Sequence, residues 1–248
     1  MADIINRQFC YTQQSLDTFV KCPLKFKKRY IEGLRWDSMP GEEAITLLER
    51  GNSFHLLACR YFSGIPYGIY DTTKDSELLS KWVRNLESCF EKRPEAVYLP
   101  EYRLRTQLKG FRLEANFDLI TIQEGKVTVW DWKTHTTKAN DTDAASFKKK
   151  LEKSLQTMVY LYVLGEQSSI SGLTISADTP VSMKYWQPDP PRTIAEINHD
   201  STTHESFRNH LSNLLEKVSD YNYAEFDKAL YNKHCRYCEF NWYCKTAR

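Results

Sequence analysis

The sequence predicts a mixed α/β fold in α+β layers, in which helices pack against a sheet, and three observations lead to this class. Residues 13–90 carry apolar side chains at the three- and four-residue spacing of amphipathic helices. Residues 97–133 change to the alternation of strands, which is strict at 127–133. Helical and strand segments then follow one another up to residue 218, and this order is typical of layered folds.

Four helices are predicted in the first third of the chain. Thr12 is a suitable N-cap for a helix at 13–22. Pro23 fits a first helical turn and starts a short second helix. Two longer helices are predicted at 42–62 and 76–90, because apolar side chains recur there at helical spacing.

Strands and helices alternate in the rest of the chain. The predicted strands are 97–107, 111–122, 127–133, 181–187 and 193–197, and the predicted helices are 144–164 and 203–218. The tail, residues 221–248, is rich in aromatic residues and cysteine and has no clean period.

The composition fits a globular protein without a global charge field. The chain has 248 residues, of which 41% are hydrophobic and 27% are charged. Lys and Arg total 34 against 32 for Asp and Glu, so the net charge is +2. Any nucleic-acid surface must therefore be a local patch.

The sequence shows neither a signal-peptide pattern at residues 1–30 nor an apolar run long enough to span a bilayer. We therefore expect an intracellular, cytoplasmic protein with no membrane partner. In that compartment the 7 cysteines are expected to be thiols or metal ligands rather than disulfides.

Two aspartates are predicted to face each other across a hairpin. Glu124-Gly125 is a candidate two-residue turn between strands. In that register Asp118 lies opposite Asp131, with Cβ atoms about 4.5–5.5 Å apart. A divalent cation between the carboxylates would relieve their repulsion. Lys133 lies on the same face, one pleat further along, so the group suits phosphodiester hydrolysis, although a cross-strand salt bridge is the alternative.

Three further sets of residues attract attention, and each has an ordinary structural alternative. His55 lies in an apolar helix, where a histidine is more often a core residue than a metal ligand. Gln156 and Tyr160 share one helix face, as an ordinary half-buried polar pair would. Lysines and arginines cluster at 21–29 and 148–153, and such runs either are solvated or follow a phosphate backbone.

Three cysteines lie within ten residues near the C-terminus. Cys235, Cys238 and Cys244 suit either zinc or an iron–sulfur cluster, and Cys22 is the candidate fourth ligand. His234 could replace a cysteine in a zinc site. Metal binding here would attach the N-terminal helices to the tail.

These motifs, in this order, resemble the PD-(D/E)XK nuclease superfamily. Asp118 and Asp131-Trp132-Lys133 match its core motif. The RecB-like and CRISPR-associated exonuclease-like branch adds Gly-x-x-x-His, Gln-x-x-x-Tyr and a Cys-Pro with a C-terminal cysteine cluster. The corresponding residues here are Gly51 to His55, Gln156 to Tyr160, Cys22-Pro23, Cys235, Cys238 and Cys244. Relatives carry glycine two residues before the first aspartate, where this chain has Asn116.

The resemblance implies one restriction-endonuclease-like domain over residues 1–248, with a mixed central sheet flanked by helices. Its parts would be a helical part at 12–95, a catalytic sheet and helix at 96–200, and a cluster-binding end at 201–248. The implied metal ligands are His55, Asp118, Asp131 and the backbone carbonyl of Trp132. The implied supporting residues are Lys133 beside the attacking water, and Gln156 and Tyr160, which would hold the DNA strand or Lys133. Glu101, on the preceding strand, is either an acid behind the ligands or an exposed surface residue.

The resemblance also implies cofactors and partners. The cofactors would be Mn²⁺ or Mg²⁺ and a 4Fe–4S cluster on Cys22, Cys235, Cys238 and Cys244, with structural zinc as the alternative. The expected function is a DNA exonuclease acting on single strands or DNA ends in repair, recombination or CRISPR adaptation, where protein partners are expected. A non-catalytic DNA-binding scaffold and a zinc-binding regulatory protein are the other hypotheses.

Overall fold

The structure, a computed structural model, describes residues 9–34, 42–67, 74–134, 144–176, 178–223, 235 and 238–246. Within these residues the chain forms three layers, because a six-stranded sheet carries helices on both of its faces. The predicted mixed α/β class with a central mixed sheet is therefore confirmed.

The helices agree with most of the predicted segments. They are α1 (Gln13–Lys21), α2 (Pro23–Phe26), α3 (Glu42–Ser63), α4 (Lys74–Cys89), α5 (Ala144–Glu152), α6 (Leu155–Gly165), α7 (Ser201–Asp220) and α8 (Asn241–Thr246). A π-helical turn, Lys27–Ile31, follows α2. Among the described helices none is both long enough and apolar enough to cross a membrane.

The strands form a central sheet and one small hairpin. They are β1 (Cys10–Tyr11), β2 (Val97–Leu108), β3 (Phe111–Gln123), β4 (Lys126–Trp132), β5 (Ser169–Ile170), β6 (Leu173–Thr174), β7 (Val181–Pro188) and β8 (Pro191–His199). The order in the central sheet is β1-β3-β4-β7-β8, with β2 paired to β3. Strands β4 and β7 are parallel, while β2–β3, β3–β4 and β7–β8 are antiparallel.

The predicted register of the β3–β4 hairpin is confirmed. Glu124 and Gly125 form the turn with φ values of 52° and 74°, and Gln123 pairs with Lys126. The ladder continues to the pair Leu119 and Trp130. Because the next step in this register is Asp118 beside Asp131, the turn alone brings the two aspartates to the same level.

One predicted helix is wrong. The segment 144–164 is two helices, α5 and α6, because the chain breaks at residues 153–154. The Ser154 hydroxyl accepts a hydrogen bond from the Thr157 N–H at 3.2 Å and so caps a new helix. The break places Gln156 in the first turn of α6. The short strands β1, β5 and β6 and helix α8 were also not predicted.

Two apolar clusters hold the layers together. The larger one joins α1, α2, α6 and α7 to one face of the sheet, with Leu16, Phe26, Phe117 and Leu161 fully buried. The smaller one joins α3 and α4 to the other face and is mainly aromatic. The predicted functional residues lie where α3 from one layer and α6 from the other approach the same end of β4.

Candidate active site

The structure brings the predicted residues of the nuclease motif to one end of the sheet. His55 is on α3, Glu101 on β2, Asp118 on β3, Asp131 at the end of β4, Lys133 just after it, and Gln156 and Tyr160 on α6. They form two hydrogen-bonded halves that meet at the two aspartates.

The first half consists of His55, Glu101 and Asp118. One ligand atom from each side chain lies within 4.8 Å of the others. His55 Nδ1 is 3.2 Å from Asp118 Oδ1, and the second carboxylate oxygen of Asp118 accepts the Trp132 N–H at 2.7 Å. Asn116 Nδ2 donates to Glu101 Oε2 at 2.9 Å. An imidazole and two carboxylates at these separations could hold a divalent ion.

The second half consists of Asp131, Lys133 and Gln156. Lys133 Nζ is 2.6 Å from Asp131 Oδ2, and it donates to Gln156 Oε1 at 2.9 Å. Gln156 Nε2 in turn donates to the other oxygen of Asp131. The buried Asp131 carboxylate is therefore ion-paired through Oδ2 with Lys133 and hydrogen-bonded through its other oxygen to Gln156.

Glycine at position 51 has a steric reason. A Cβ atom added at Gly51 would lie 3.1 Å from Thr134 Oγ1, which is closer than ordinary van der Waals contact. Gly51 therefore lets α3 approach the chain just after Lys133. His55 follows one turn later on the same helix face and reaches Asp118.

Glu101 reaches the site through an unusual backbone conformation. Its φ is 47°, in the left-handed region, which is rare for a residue inside a strand. The β2–β3 ladder pairs Pro100 with Leu119 and Tyr102 with Phe117, and it skips Glu101 and Asp118 between them. Backbone strain of this kind is concentrated at functional sites.

Burial perturbs the protonation of the carboxylates. Burial and the nearby Asp118 charge raise the pKa of Asp131 to about 6, although Lys133 opposes the shift. Burial also raises the pKa of Glu101, while the hydrogen bond from Asn116 acts in the opposite direction. The protein thus holds negative charge here at a free-energy cost, which a bound cation would relieve.

The neighbouring imidazole and phenol groups respond to the same carboxylates. Burial would lower the pKa of His55, but the hydrogen bond to Asp118 and the charges of Asp131 and Glu101 outweigh it and raise the pKa. Burial, followed by the charges of Asp131 and Asp118, raises the pKa of Tyr160. The Tyr160 hydroxyl therefore stays protonated and remains a hydrogen-bond donor.

The structure places Glu101 among the side chains that could bind a metal, whereas the sequence suggested a place behind them. The predicted ligands were His55, Asp118, Asp131 and the Trp132 carbonyl, with Glu101 behind them. In the structure Glu101 is grouped with His55 and Asp118, whereas the Asp131 carboxylate contacts Lys133 and Gln156. A second two-residue turn, Lys109-Gly110, sets Glu101 level with Asp118 and could have revealed this from the sequence.

The four predicted cluster cysteines influence one another's charge, but among the described residues their sulfur atoms do not form a ligand group within 4.8 Å of one another. Cys22 lies between α1 and α2, and its Sγ accepts the Lys25 N–H at 3.4 Å. Burial, then Cys238, and to a smaller extent Cys22 and Cys235, raise the pKa of Cys244, so the four thiols lie within electrostatic reach. The histidine at position 234 lies outside the described residues.

Part of the first basic run contacts the tail. Lys25 Nζ is 2.6 Å from Glu239 and Arg29 Nη2 is 3.3 Å from the same carboxylate. Lys28 is buried, with its ammonium 3.5 Å from the centre of the Tyr243 ring. These groups therefore join α2 and the π-helical turn to the C-terminal segment, which leaves them poorly placed to follow a phosphate backbone.

Comparisons with known proteins identify the family and the fold. The model of the PD-(D/E)XK nuclease superfamily matches residues 11–245, so the chain belongs to that superfamily. A candidate exonuclease from Eubacterium rectale has a similar fold, with a TM-score of 0.50 and 11% identity over 88% of this chain and 84% of that one. The protein SSO0001 matches with a TM-score of 0.40 and 15% identity over 97% and 87% of the two chains. No curated protein matches the sequence.

Proposed function

We propose that this protein is a metal-dependent DNA exonuclease of the RecB-like branch, acting on single strands or DNA ends. One observation carries the proposal: the group of His55, Glu101 and Asp118 adjoins the group of Asp131, Lys133 and Gln156 at one end of the sheet. Membership of a nuclease superfamily supports the reaction class.

The residues present fit a divalent ion. We assign His55, Glu101, Asp118 and Asp131 as the ligands, with the backbone carbonyl of Trp132 as a further donor. An ion bound there would polarise a phosphodiester and lower the pKa of a bound water. The imidazole favours Mn²⁺ over Mg²⁺, because nitrogen ligands suit the later metal.

Lys133 is the group that we assign to charge stabilisation. Its ammonium is oriented by Gln156 and lies 5.0 Å from the centre of the Tyr185 ring, so it is held in place before substrate arrives. A preoriented cation stabilises negative charge that develops on phosphate. Gln156 and Tyr160 lie on the same helix beside Lys133. The protonated Tyr160 hydroxyl is available to donate a hydrogen bond to a phosphate oxygen.

The cysteines support a structural metal cluster. We assign Cys22, Cys235, Cys238 and Cys244 as ligands of a 4Fe–4S cluster, with zinc as the alternative occupant. Burial and the other thiols raise the pKa of Cys244, and the buried ammonium of Lys28 opposes this shift, so Lys28 would offset part of the negative charge of a thiolate cluster. We place the activity in the cytoplasm, in repair, recombination or CRISPR adaptation.

The activity test compares end-labelled linear DNA with covalently closed circles, with and without Mn²⁺. We expect cleavage of linear DNA only, and only with metal. Lys133→Ala should lower the rate by about 10²–10³-fold, because it removes a preoriented charge. Lys126→Ala, on the β3–β4 hairpin but five residues before Asp131, is the matched control. Metal-independent DNA binding without cleavage would instead identify a scaffold.

The cluster test uses anaerobic purification of the whole chain. We expect a brown protein that absorbs at about 400 nm. It should contain iron and sulfide in equal amounts. Cys244→Ser should remove the colour, whereas Cys89→Ser, at an exposed thiol on α4, should not. A colourless protein containing zinc would replace the cluster assignment with a zinc site and leave the nuclease assignment untouched.

A further inference from the structure

We propose that the open face of the β2–β3 hairpin is a track for the phosphate backbone of the substrate strand, with Arg103, Arg105 and Arg112 as its contacts. The inference rests on the proposed nuclease function and deepens it by naming where the nucleic acid lies. The residues of this face, called the arginine face below, are Arg103, Arg105, Gln107, Arg112, Glu114 and Asn116.

The register of the hairpin places these side chains on one surface. Arg103 pairs with Asn116, Arg105 with Glu114, and Gln107 with Arg112. Directly opposite residues in an antiparallel pair project to the same face. The next level of the same two strands holds Glu101 and Asp118, so the arginine face continues directly into the candidate metal site.

The arginine face is open to solvent. The side chains of Arg103 and Arg105 are 59% and 66% exposed, and Gln107 and Arg112 are also exposed. The opposite face of this hairpin end is closed, because Leu113, Ala115 and Phe117 are buried in the larger apolar cluster. No described element covers the three arginines. Packing within the described residues therefore does not explain why they lie together on this face.

The charge of the arginine face suits an anion. It has three arginines against one glutamate, whereas the whole chain has a net charge of only +2. Arg105 Nε is 2.6 Å from Glu114 and Arg103 Nε is 3.6 Å from it, so Glu114 engages the two guanidinium groups at one edge. Each guanidinium has five N–H donors, and the remaining ones match phosphate oxygens.

The length of the face suits several nucleotides. Residues two apart on one strand are separated by about 6.8 Å, so the distance from Glu101 to Gln107 is about 20 Å. A pocket of about 530 Å³ lies at the far end, lined by Cys10, Arg105, Thr106, Gln107 and Arg112. Positive charge along an extended line that ends at metal ligands is what binding of a single strand requires.

The test measures binding of a labelled oligothymidylate by fluorescence anisotropy in EDTA over a range of salt concentrations. The main variant combines Arg103→Ala, Arg105→Ala and Arg112→Ala. We expect its Kd to rise about 10- to 100-fold at low salt. The slope of log K against log salt should fall by about 2, since each lost phosphate contact on a single strand removes about 0.7.

Three companion variants make the result specific. The triple replacement of the same arginines by lysine should keep the salt slope, because the charges remain. Glu114→Gln should tighten binding, because it releases Arg103 and Arg105 from their carboxylate. Lys126→Ala removes one exposed charge from the other end of the sheet and should change nothing. If the alanine variant fails to fold, Glu114→Gln still tests the proposal.

The inference is overturned if the alanine variant keeps the salt slope of the wild type, or if Glu114→Gln weakens binding. Failure of the nuclease proposal is visible separately. Hydrolysis of bis(p-nitrophenyl) phosphate by the wild-type protein with Mn²⁺ reports the metal site, because this small diester cannot span the arginine face. Binding in EDTA reports the arginine face without any cleavage.

Discussion

Two clusters of charged side chains lie in partly buried surroundings and differ in how their charges are compensated. The carboxylate cluster comprises His55, Glu101, Asp118, Asp131 and Lys133, and its acids outnumber the lysine. The tail cluster comprises Lys25, Lys28, Arg29, Glu239 and Tyr243, in which one carboxylate has two cationic partners and the third cation lies over a ring. The carboxylate cluster has three acids for one lysine and therefore carries an excess of negative charge, whereas every charged group of the tail cluster has a carboxylate, a cation or an aromatic ring as its partner.

The difference separates function from stability. Uncompensated carboxylates are costly to bury but are ready to bind a cation or a proton. Mutually paired charges have little left to offer a ligand, and removing one partner leaves another charge buried and unpaired. Changes in the carboxylate cluster should therefore alter activity at little cost to folding, and changes in the tail cluster should do the reverse.

The largest expected effect is on activity at Asp131. Asp131→Asn should lower kcat/KM for DNA cleavage by about 10²-fold or more, because it removes a ligand and the partner of Lys133. The metal-free variant should be as stable as the wild type or more stable. Burial and the nearby Asp118 charge raise the pKa of Asp131 to about 6, so above that pH the folded protein carries the ionised carboxylate at a free-energy cost that the unfolded chain does not have.

The measurements for Asp131→Asn are cleavage kinetics with Mn²⁺ and urea unfolding in EDTA at neutral pH. Asp189→Asn, at a more exposed aspartate paired with Lys81, should leave both unchanged. If Asp131→Asn loses much stability but keeps its activity, the carboxylate cluster serves stability rather than function, and the comparison between the two clusters is wrong.

The second effect is on stability at Glu239. Burial disfavours the charge of Glu239, but the hydrogen bond from Lys25 outweighs it and holds the pKa below its usual value. Glu239→Ala should lower the free energy of unfolding by about 2 kcal/mol, which is less than for a fully buried pair because Lys25 and Arg29 are partly exposed. Cleavage by the folded protein should persist.

Glu216→Ala is the matched control for Glu239→Ala. Glu216 pairs with Lys109 at 2.8 Å, but both side chains are about half exposed. An exposed pair contributes little, so we expect a loss below about 0.5 kcal/mol. Equal losses for the two variants in urea unfolding would mean that burial does not distinguish the tail cluster.

A third cluster sharpens the comparison, because it is buried but has no excess of acid. His199 Nε2 is 3.1 Å from His204 Nδ1, and His204 contacts Glu166 at 2.8 Å. Burial, then the neighbouring His204, lowers the pKa of His199 to about 4, while Asp200 opposes the shift. In the unfolded chain the pKa of histidine is about 6.5. Between pH values of about 4 and about 6.5 the unfolded chain therefore binds more protons than the folded one.

Stability should therefore fall as the pH is lowered from about 6.5 to about 4. His199→Gln should remove about 2 kcal/mol of this acid-induced loss, an amount already reduced for the partial exposure of His199. Urea unfolding at neutral and mildly acidic pH measures it. His210→Gln, at an exposed position on α7, is the control and should keep the wild-type acid sensitivity. If His199→Gln also keeps it, the low pKa of His199 does not contribute to the acid-induced loss of stability.

Contiguity of charge in the sequence was a poor guide to charged surface. The basic residues at 25–29 are interrupted only by Phe26, so they lie all around a helical segment, where they pair with Glu239, Glu32 and Tyr243. The arginines at 103, 105 and 112 are separated in sequence, but strand alternation and one tight turn bring them to a single open face. A strand period of two conceals such a row from a search for charge runs.

The sequence by itself determined the layers, most helices and the level of Asp118 with Asp131. It could do so because helical periodicity and a two-residue turn are local, and a turn fixes the pairing of every residue beyond it. Only the tertiary structure decided the break between α5 and α6, the grouping of Glu101 with His55 and Asp118, and the partners of the basic run. Each of these depends on contacts between segments far apart in the chain, where packing and burial outweigh local preference.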